Sequence, residues 1–323
     1  MFKTKFSILL LPFIFFLFTV CDNADNTNFV DSGNNNRPAE DRNVFGSILV
    51  SLVTQQDNST GYTSVLGKAF NGPTPEGVIW EEIGSSGSCR LLKPRVPFCS
   101  DPCDANAICV EDDSCQSYPS AIDMGTVTIT GLLTRSGKLS FSMEPLLHNY
   151  QPSGGVILAY PPFSEGDSVT VNATGDTGVS PFTISVRGIA PLKIFNDSIV
   201  LVEGRPVQLR WNPPQQPGNS SIHVLVDVSH HGGTKGKIEC DCEDNGFLEI
   251  SEDLIDGLTA LGVSGFPRVD ITRKAKGSTD PATVDLVLES KVSKELHIPG
   301  LISCETDKDC PNGQSCQPDL KCE

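Results

Sequence analysis

The chain is poor in the large residues that usually fill a core: two Trp, four Tyr and three Met among 323 residues. Its interior is therefore left to aliphatic side chains and Phe. Gly (29) and Pro (23) punctuate it, and the pattern of long helices is nearly absent. Basic residues are also scarce, 24 Lys and Arg against 40 Asp and Glu, for a formal charge of −16. They are scattered singly and form no stripe, which excludes nucleic acid as a partner. No apolar run reaches the roughly 20 residues needed to cross a bilayer. Neither Gly-x-Ser-x-Gly nor His-Glu-x-x-His occurs, His148, His223 and His297 stand alone, and no carboxylates form a recognisable pair. We therefore expect no enzyme, and a secreted hydrolase without a motif is the last of the alternatives.

What is present begins at the first residue. Residues 1–21 read MFKTKFSILLLPFIFFLFTVC, with Lys3 and Lys5 as the only charges. A basic start followed by a short apolar run describes an export signal. Leu17-Phe18-Thr19-Val20-Cys21 resembles a lipobox, although Val20 is larger than the small residue usual before the Cys. Two readings follow: Cys21 is lipidated, or the chain is cut by ordinary signal peptidase and Cys21 is incidental. We expect lipidation, because the Cys directly follows the apolar run. Acyl chains would hold the protein to a membrane at about 0.8 kcal/mol per buried methylene. Loss of Lys3 and Lys5 with the signal would take the charge from −16 to −18. An acidic surface favours solubility after export. Residues 22–43 are dominated by Asn, Asp and Ser, with little to bury, and read as a disordered tether.

The length suggests two or three domains. Strand texture begins near Val44. Residues 45–53 and 62–70 alternate and pair as a hairpin around Asp57–Gly61, and 78–80 and 89–92 read as further strands. Residues 126–130, 139–143, 168–173 and 183–186 alternate again at roughly ten-residue spacing, the signature of a sandwich. Residues 94–119 hold four cysteines and read as an insertion in this first β-sandwich domain, 44–198; the alternative is a separator between two small domains. A second, immunoglobulin-like β domain, 199–299, has strands at 199–202, 207–211, 222–228, 247–250, 269–273 and 282–288, with Trp211 on an early one. Ser251 caps its one convincing helix, with Glu252 and Asp253 in the first turn. Residues 300–323 form a C-terminal cysteine-rich module. The expected fold is all-β: two β-sandwich domains with two small disulfide-rich modules.

Twelve cysteines in an exported chain read as a disulfide framework. Cys99, Cys103, Cys109 and Cys115 share the spacing Cys-x5-Cys-x5-Cys with Cys304, Cys310, Cys316 and Cys322 from the second Cys onward. We read them as two copies of one module. Four cysteines allow three pairings; first-to-third with second-to-fourth interlocks a unit too small for a core, and each bridge contributes about 2–4 kcal/mol. Cys89, Cys240 and Cys242 remain, and we expect Cys89 to pair with one of the other two and join the two domains. The lipobox-like start, polar tether, Cys-x5-Cys module ahead of Gly125-Thr-Val-Thr-Ile-Thr-Gly131, and terminal Cys-x5-Cys repeat resemble in layout the cysteine-rich surface lipoproteins of myxobacterial-type bacteria. That resemblance implies a location and an architecture, and no activity.

One segment carries a metal motif. Asp241, Glu243, Asn245, Gly246, Glu249 and Glu252 nearly fit the twelve-residue calcium loop. Glu243 is long for its position and no helix precedes it, so the competing reading is a turn at Asn245-Gly246, a strand and a capped helix. His230-His231 near Cys240 and Cys242 offers a second, weaker metal reading against a polar turn. We expect no cofactor. The expected function is an exported, lipid-anchored protein of the bacterial cell envelope, periplasmic or at the outer surface, with a binding or structural role. Its partners would be the membrane and a protein or glycan ligand. The alternative is a calcium-dependent glycan- or protein-binding adhesin.

Overall fold

A computed structural model describes residues 44–54, 61–279, 283–311 and 313–323. The export signal, Cys21, the tether and most of the Asp57–Gly61 turn lie outside the described residues. The protein is all-β, with two sandwich cores and two disulfide-rich modules.

Strands β1 (Phe45–Val53) and β2 (Tyr62–Phe70) form the expected hairpin, in register from Phe45 opposite Phe70 to Val53 opposite Tyr62. β3 (Ile79–Ser86) and β4 (Cys89–Arg95) form a second hairpin. β5 (Ala107–Glu111) and β6 (Ser114–Ser117) are a two-stranded ribbon inside the cysteine-rich stretch. After β7 (Ala121–Ile122), a four-stranded sheet assembles from β8 (Val127–Thr130), β9 (Ser140–Met143), β11 (Ser168–Ala173) and β12 (Phe182–Arg187), with β10 (Asn149–Tyr150) pairing β2. Then come β13 (Ile199–Val200), β14 (Val207–Arg210), β15 (Ser221–Asp227), β16 (Lys237–Glu243), β17 (Phe247–Ile250), helix α1 (Glu252–Ala260), β18 (Arg268–Ser278) and β19 (Thr283–His297).

The main sheet runs β10-β2-β1-β19-β18-β15-β16-β4-β3. Its first half packs on β12-β11-β8-β9 around Ile48, Val50, Ile129, Val171, Leu286 and Leu288. Its second half is covered by the β14–β17 pair and by α1, around Trp211, Leu209, Ile222, Val224, Ile255 and Leu258. Alternation explains each layer: in β11, Val169, Val171 and Ala173 face in, and Ser168, Thr170 and Asn172 face out.

The expected boundary at residue 198 does not separate two sheets. The β18–β19 hairpin is long enough to enter both cores. Val269, Ile271 and Leu296 lie in the second core, and Ala275, Val284, Leu286 and Leu288 lie in the first. β1 adds to β19 in parallel, and β4, from the first third of the chain, adds to β16. An alternating strand shows that one face is buried; it does not show which core buries it.

The cysteine-rich stretch 94–119 is likewise not an insertion within one domain. It carries the chain from β4 on one half of the main sheet to β7 on the other. It runs beside the outward connection 71–78, to which it is tied by Gln116 Nε2 to Pro73 O (3.2 Å) and, at the residue just after it, by Asn71 N–H to Ser120 O (3.0 Å) and Ser120 N–H to Asn71 Oδ1 (2.8 Å).

Candidate functional site

In the two modules, covalent links replace a core. None of residues 98–120 is fully buried, and among the described residues of 300–323 only Cys304 is. Burial of one Leu contributes about 1.5–3 kcal/mol, and these segments have almost none of that to draw on. Cys99 bridges Cys109 and Cys103 bridges Cys115; Cys304 bridges Cys316 and Cys310 bridges Cys322. Each module thus has first-to-third and second-to-fourth links. The first is docked by Arg95, whose guanidinium donates to both Asp112 oxygens (2.8 and 2.9 Å) and to Glu81 (2.8 Å). The Phe98 N–H, then Arg95, hold the Asp112 carboxyl below its usual range. The second module lies on the 230–232 and 264–265 loops, with Gly265 N–H donating to Asp319 O (2.8 Å) and Ser303 Oγ to Gly265 O (2.5 Å).

Cys89 bridges Cys240 across adjacent strands, where the two residues face each other directly with Cα atoms 4.0 Å apart. The bridge therefore lies inside one sheet, within the second core, rather than between two domains. Cys242, two residues along the same strand, is buried and forms none of these five bridges. Three sulfurs in each module gather within metal-ligand reach, but all belong to disulfides. Five disulfides are the chemistry of an extracellular or envelope compartment. Among the described residues no helix is long and apolar enough to cross a membrane.

The calcium-candidate residues do not form a loop. Asp241 and Glu243 lie on β16, because Ile238, Cys240 and Cys242 alternate inward and commit 237–243 to a strand. Asn245 sits in the turn, where its Oδ1 accepts the Phe247 N–H (3.1 Å). Glu249 is on β17 and accepts from Gln208 Nε2 (2.8 Å), and Glu252 opens α1 after Ser251, which makes no side-chain cap bond. Among the described residues, Asp241, Glu243, Glu249 and Glu252 are in no group of three or more His, Cys, Asp or Glu whose ligand atoms gather.

Asp241 is instead engaged by His223 Nδ1 and Lys274 Nζ, each at 3.0 Å. The His223 hydrogen bond, followed by Lys274, holds its carboxyl far below the usual range despite partial burial. Asp270 is also held low: burial opposes this, and Lys291, Ser293 and Arg268 overcome it. Carboxyls of this kind stay ionised in the folded chain where the unfolded chain, near pH 4, already binds protons. Their stabilisation is complete above about pH 4 and is lost as pH falls through the folded value. Thermal melts stepped down from pH 5 should show a falling midpoint, and Asp241→Asn should make that fall shallower. An equal slope in the variant would show that Asp241 carries none of it.

His230 and His231 do occupy a turn. His231 adopts φ 64°, and the two rings lie 3.8 Å apart. The left-handed residue brings together neighbouring side chains that a strand end would have splayed. His230 Nε2 contacts Arg268 Nη1 at 2.8 Å, and burial, then Arg268, lowers its pKa.

Two features were not visible as sites in the sequence. The first is a buried ion pair in the second core. Arg273 donates to Asp244 through Nε (2.5 Å) and Nη2 (3.0 Å), and Asp244 also accepts from Trp211 Nε1 (2.8 Å) and Ser220 Oγ (2.7 Å). The second is the open face of the β12-β11-β8-β9 sheet. Across it, Ser140, Thr130, Thr170 and Ser185 stand in one register row, and Ser142, Thr128, Asn172 and Thr183 in the next. Cross-strand bonds hold them: Thr128–Ser142 2.8 Å, Thr130–Ser140 3.3 Å, Thr170–Ser185 2.9 Å and Thr183–Asn172 2.8 Å.

No family model matches the chain, and no curated protein matches it. Among solved structures, the FN1-FN3 domains of chicken CNTN1 share 13% identity with it over 73% of this chain and 71% of that chain, with a TM-score of 0.18. A score that low carries no argument about fold or function.

Proposed function

We propose that the chain is an exported protein of a bacterial cell envelope, held to a membrane by lipid on Cys21, with a binding or architectural role and no catalytic one. The observation that carries this reading is the set of five disulfides, four of which stabilise surface modules that have almost no core. It is supported by the basic-then-apolar start, the polar tether and the layout resemblance to myxobacterial-type surface lipoproteins. Three of the charged clusters in the described part are ion pairs: Asp241 with Lys274, Arg95 with Asp112, and Arg273 with Asp244.

The test is fractionation of the expressed full chain by detergent phase separation. Wild type should enter the detergent phase, and Cys21→Ser should move to the aqueous phase while still exported. Wild type in the cytosol, or a Cys21→Ser chain that still partitions into detergent, would overturn the lipid anchor. Alkylation without reductant should leave most sulfurs unlabelled; label at most of them would overturn the oxidising compartment.

A further inference from the structure

We propose that the open face of the β12-β11-β8-β9 sheet is a binding surface for a neutral glycan chain laid across the strands. This rests on the reading of the protein as a non-catalytic envelope binder. The face is built by alternation: Val127, Ile129, Phe141, Met143, Val169, Val171, Ile184 and Val186 point into the first core, so the intervening hydroxyl and amide residues must point out. Register then aligns them. Each row crosses four strands, which at about 4.8 Å per strand spacing spans roughly 14 Å.

The rows keep hydrogen-bonding capacity. A hydroxyl has one donor and two acceptor lone pairs. A bonded pair such as Thr128–Ser142 or Thr170–Ser185 uses one donor and one acceptor, so one donor and three acceptors stay available on each pair. Asn172 accepts from Thr183 through Oδ1, which orients its amide donors. The cross-strand bonds also fix the side chains beforehand, which lowers the ordering cost of binding. Mixed donors and acceptors at fixed spacing match the alternating hydroxyls of a polysaccharide.

Charge selects the class of glycan. The protein carries −16, yet neither row contains an ionisable residue. Arg187, opposite Ser168, and Glu144, which accepts from Thr126 Oγ1 at 2.9 Å, stand only at the margins. An acidic polymer would be repelled by the molecule as a whole and would find no basic row here. A neutral one meets no such penalty. The face also needs no metal, unlike the calcium-loop reading, which concerned other residues.

The test is affinity electrophoresis of the folded mature chain in gels containing hydroxyethylcellulose, glucomannan or dextran, with alginate as the acidic arm. Wild type should be retarded by at least one neutral polymer, equally with chelator or calcium, and not by alginate. Thr130→Arg/Thr170→Arg should weaken retardation by about tenfold or more, the scale of one or two lost hydrogen bonds. If that variant does not fold, Ser142→Arg on the edge strand β9 should weaken it in the same direction. Lys276→Ala, on the outer face of β18, should leave it unchanged. Absence of retardation by every neutral polymer, equal retardation in alginate, or retardation unaffected by the row substitutions would overturn the proposal. Detergent partitioning of the same variants separates the two ideas: a row variant that loses glycan binding and keeps its envelope location supports the surface, and a wild type that never leaves the cytosol refutes the reading beneath it.

Discussion

Replacement of Arg273 by Met is expected to be among the most destabilising single changes in the chain, at about 3–5 kcal/mol. Arg273 is fully buried, and all five of its N–H donors are used. Two reach Asp244, one reaches Asn212 O (2.5 Å), and two reach Ala190 O (3.2 Å) and Pro191 O (3.3 Å). The guanidinium therefore ties the 190–191 connection between the cores to the 212 loop and to the turn after β16. Removing it strands a carboxylate in the second core and leaves three carbonyls short of a donor. A carboxylate without its partner is the larger loss, since a lone buried charge costs far more than an absent pair. The double variant Arg273→Met/Asp244→Leu should therefore recover part of the loss. It should not recover all of it, because Trp211 Nε1 and Ser220 Oγ lose their acceptor and the Ala190 and Asn212 carbonyls lose the Arg273 donor. Urea unfolding of wild type, single and double variants orders the three. A single variant with an unchanged midpoint, or a double variant no better than the single, would show that the pair is not what holds this junction.

Loss of the Cys89–Cys240 bridge, as Cys89→Ala/Cys240→Ala, is expected to cost more than loss of any module bridge. The residues are 151 apart in sequence, against 12 for Cys304–Cys316. On the chain-entropy account the longer loop is worth about 5 kcal/mol and the shorter about 3. Both sulfurs are also buried in the second core, so two Ala leave a void there. The bridge fastens the early β3–β4 hairpin to strands that arrive much later in the chain. Its loss should expose that hairpin first, giving earlier cleavage near residues 71–78 in limited proteolysis as well as a lower urea midpoint. Equal midpoints for the Cys89–Cys240 and Cys304–Cys316 double variants would show that loop length does not govern these bridges.

The Arg273 site left a trace in the sequence. Val269, Ile271, Arg273 and Ala275 share one phase of an alternating strand, so Arg273 falls at an inward position. An arginine there requires a buried acid, but nothing local names it: Asp244 lies 29 residues away, inside a segment whose acids and Gly246 also suit a calcium loop. The loop reading failed at Asp241 and Glu243, where inward Cys240 and Cys242 outvote the acids and make a strand. The hydroxyl rows were legible only as alternation. Thr126-x-Thr128-x-Thr130 shows that three threonines share a face; it does not show that Thr130 stands between Ser140 and Thr170.

Local chemistry determined a good deal from the chain alone. Period-two alternation specified most of the strands, the acids Glu252 and Asp253 with the Leu254, Ile255, Leu258 spacing specified the helix, and the repeated cysteine spacing marked out two modules, though not by itself their pairing. Each of these depends on residues within about a dozen positions of one another. Only the tertiary structure decided which strands neighbour which: that β1 lies beside β19, that β4 crosses to β16, and that one long hairpin serves two cores. A strand's own side chains record that it has a buried face, and its partners are chosen by packing and closure of the whole sheet, which no short stretch encodes.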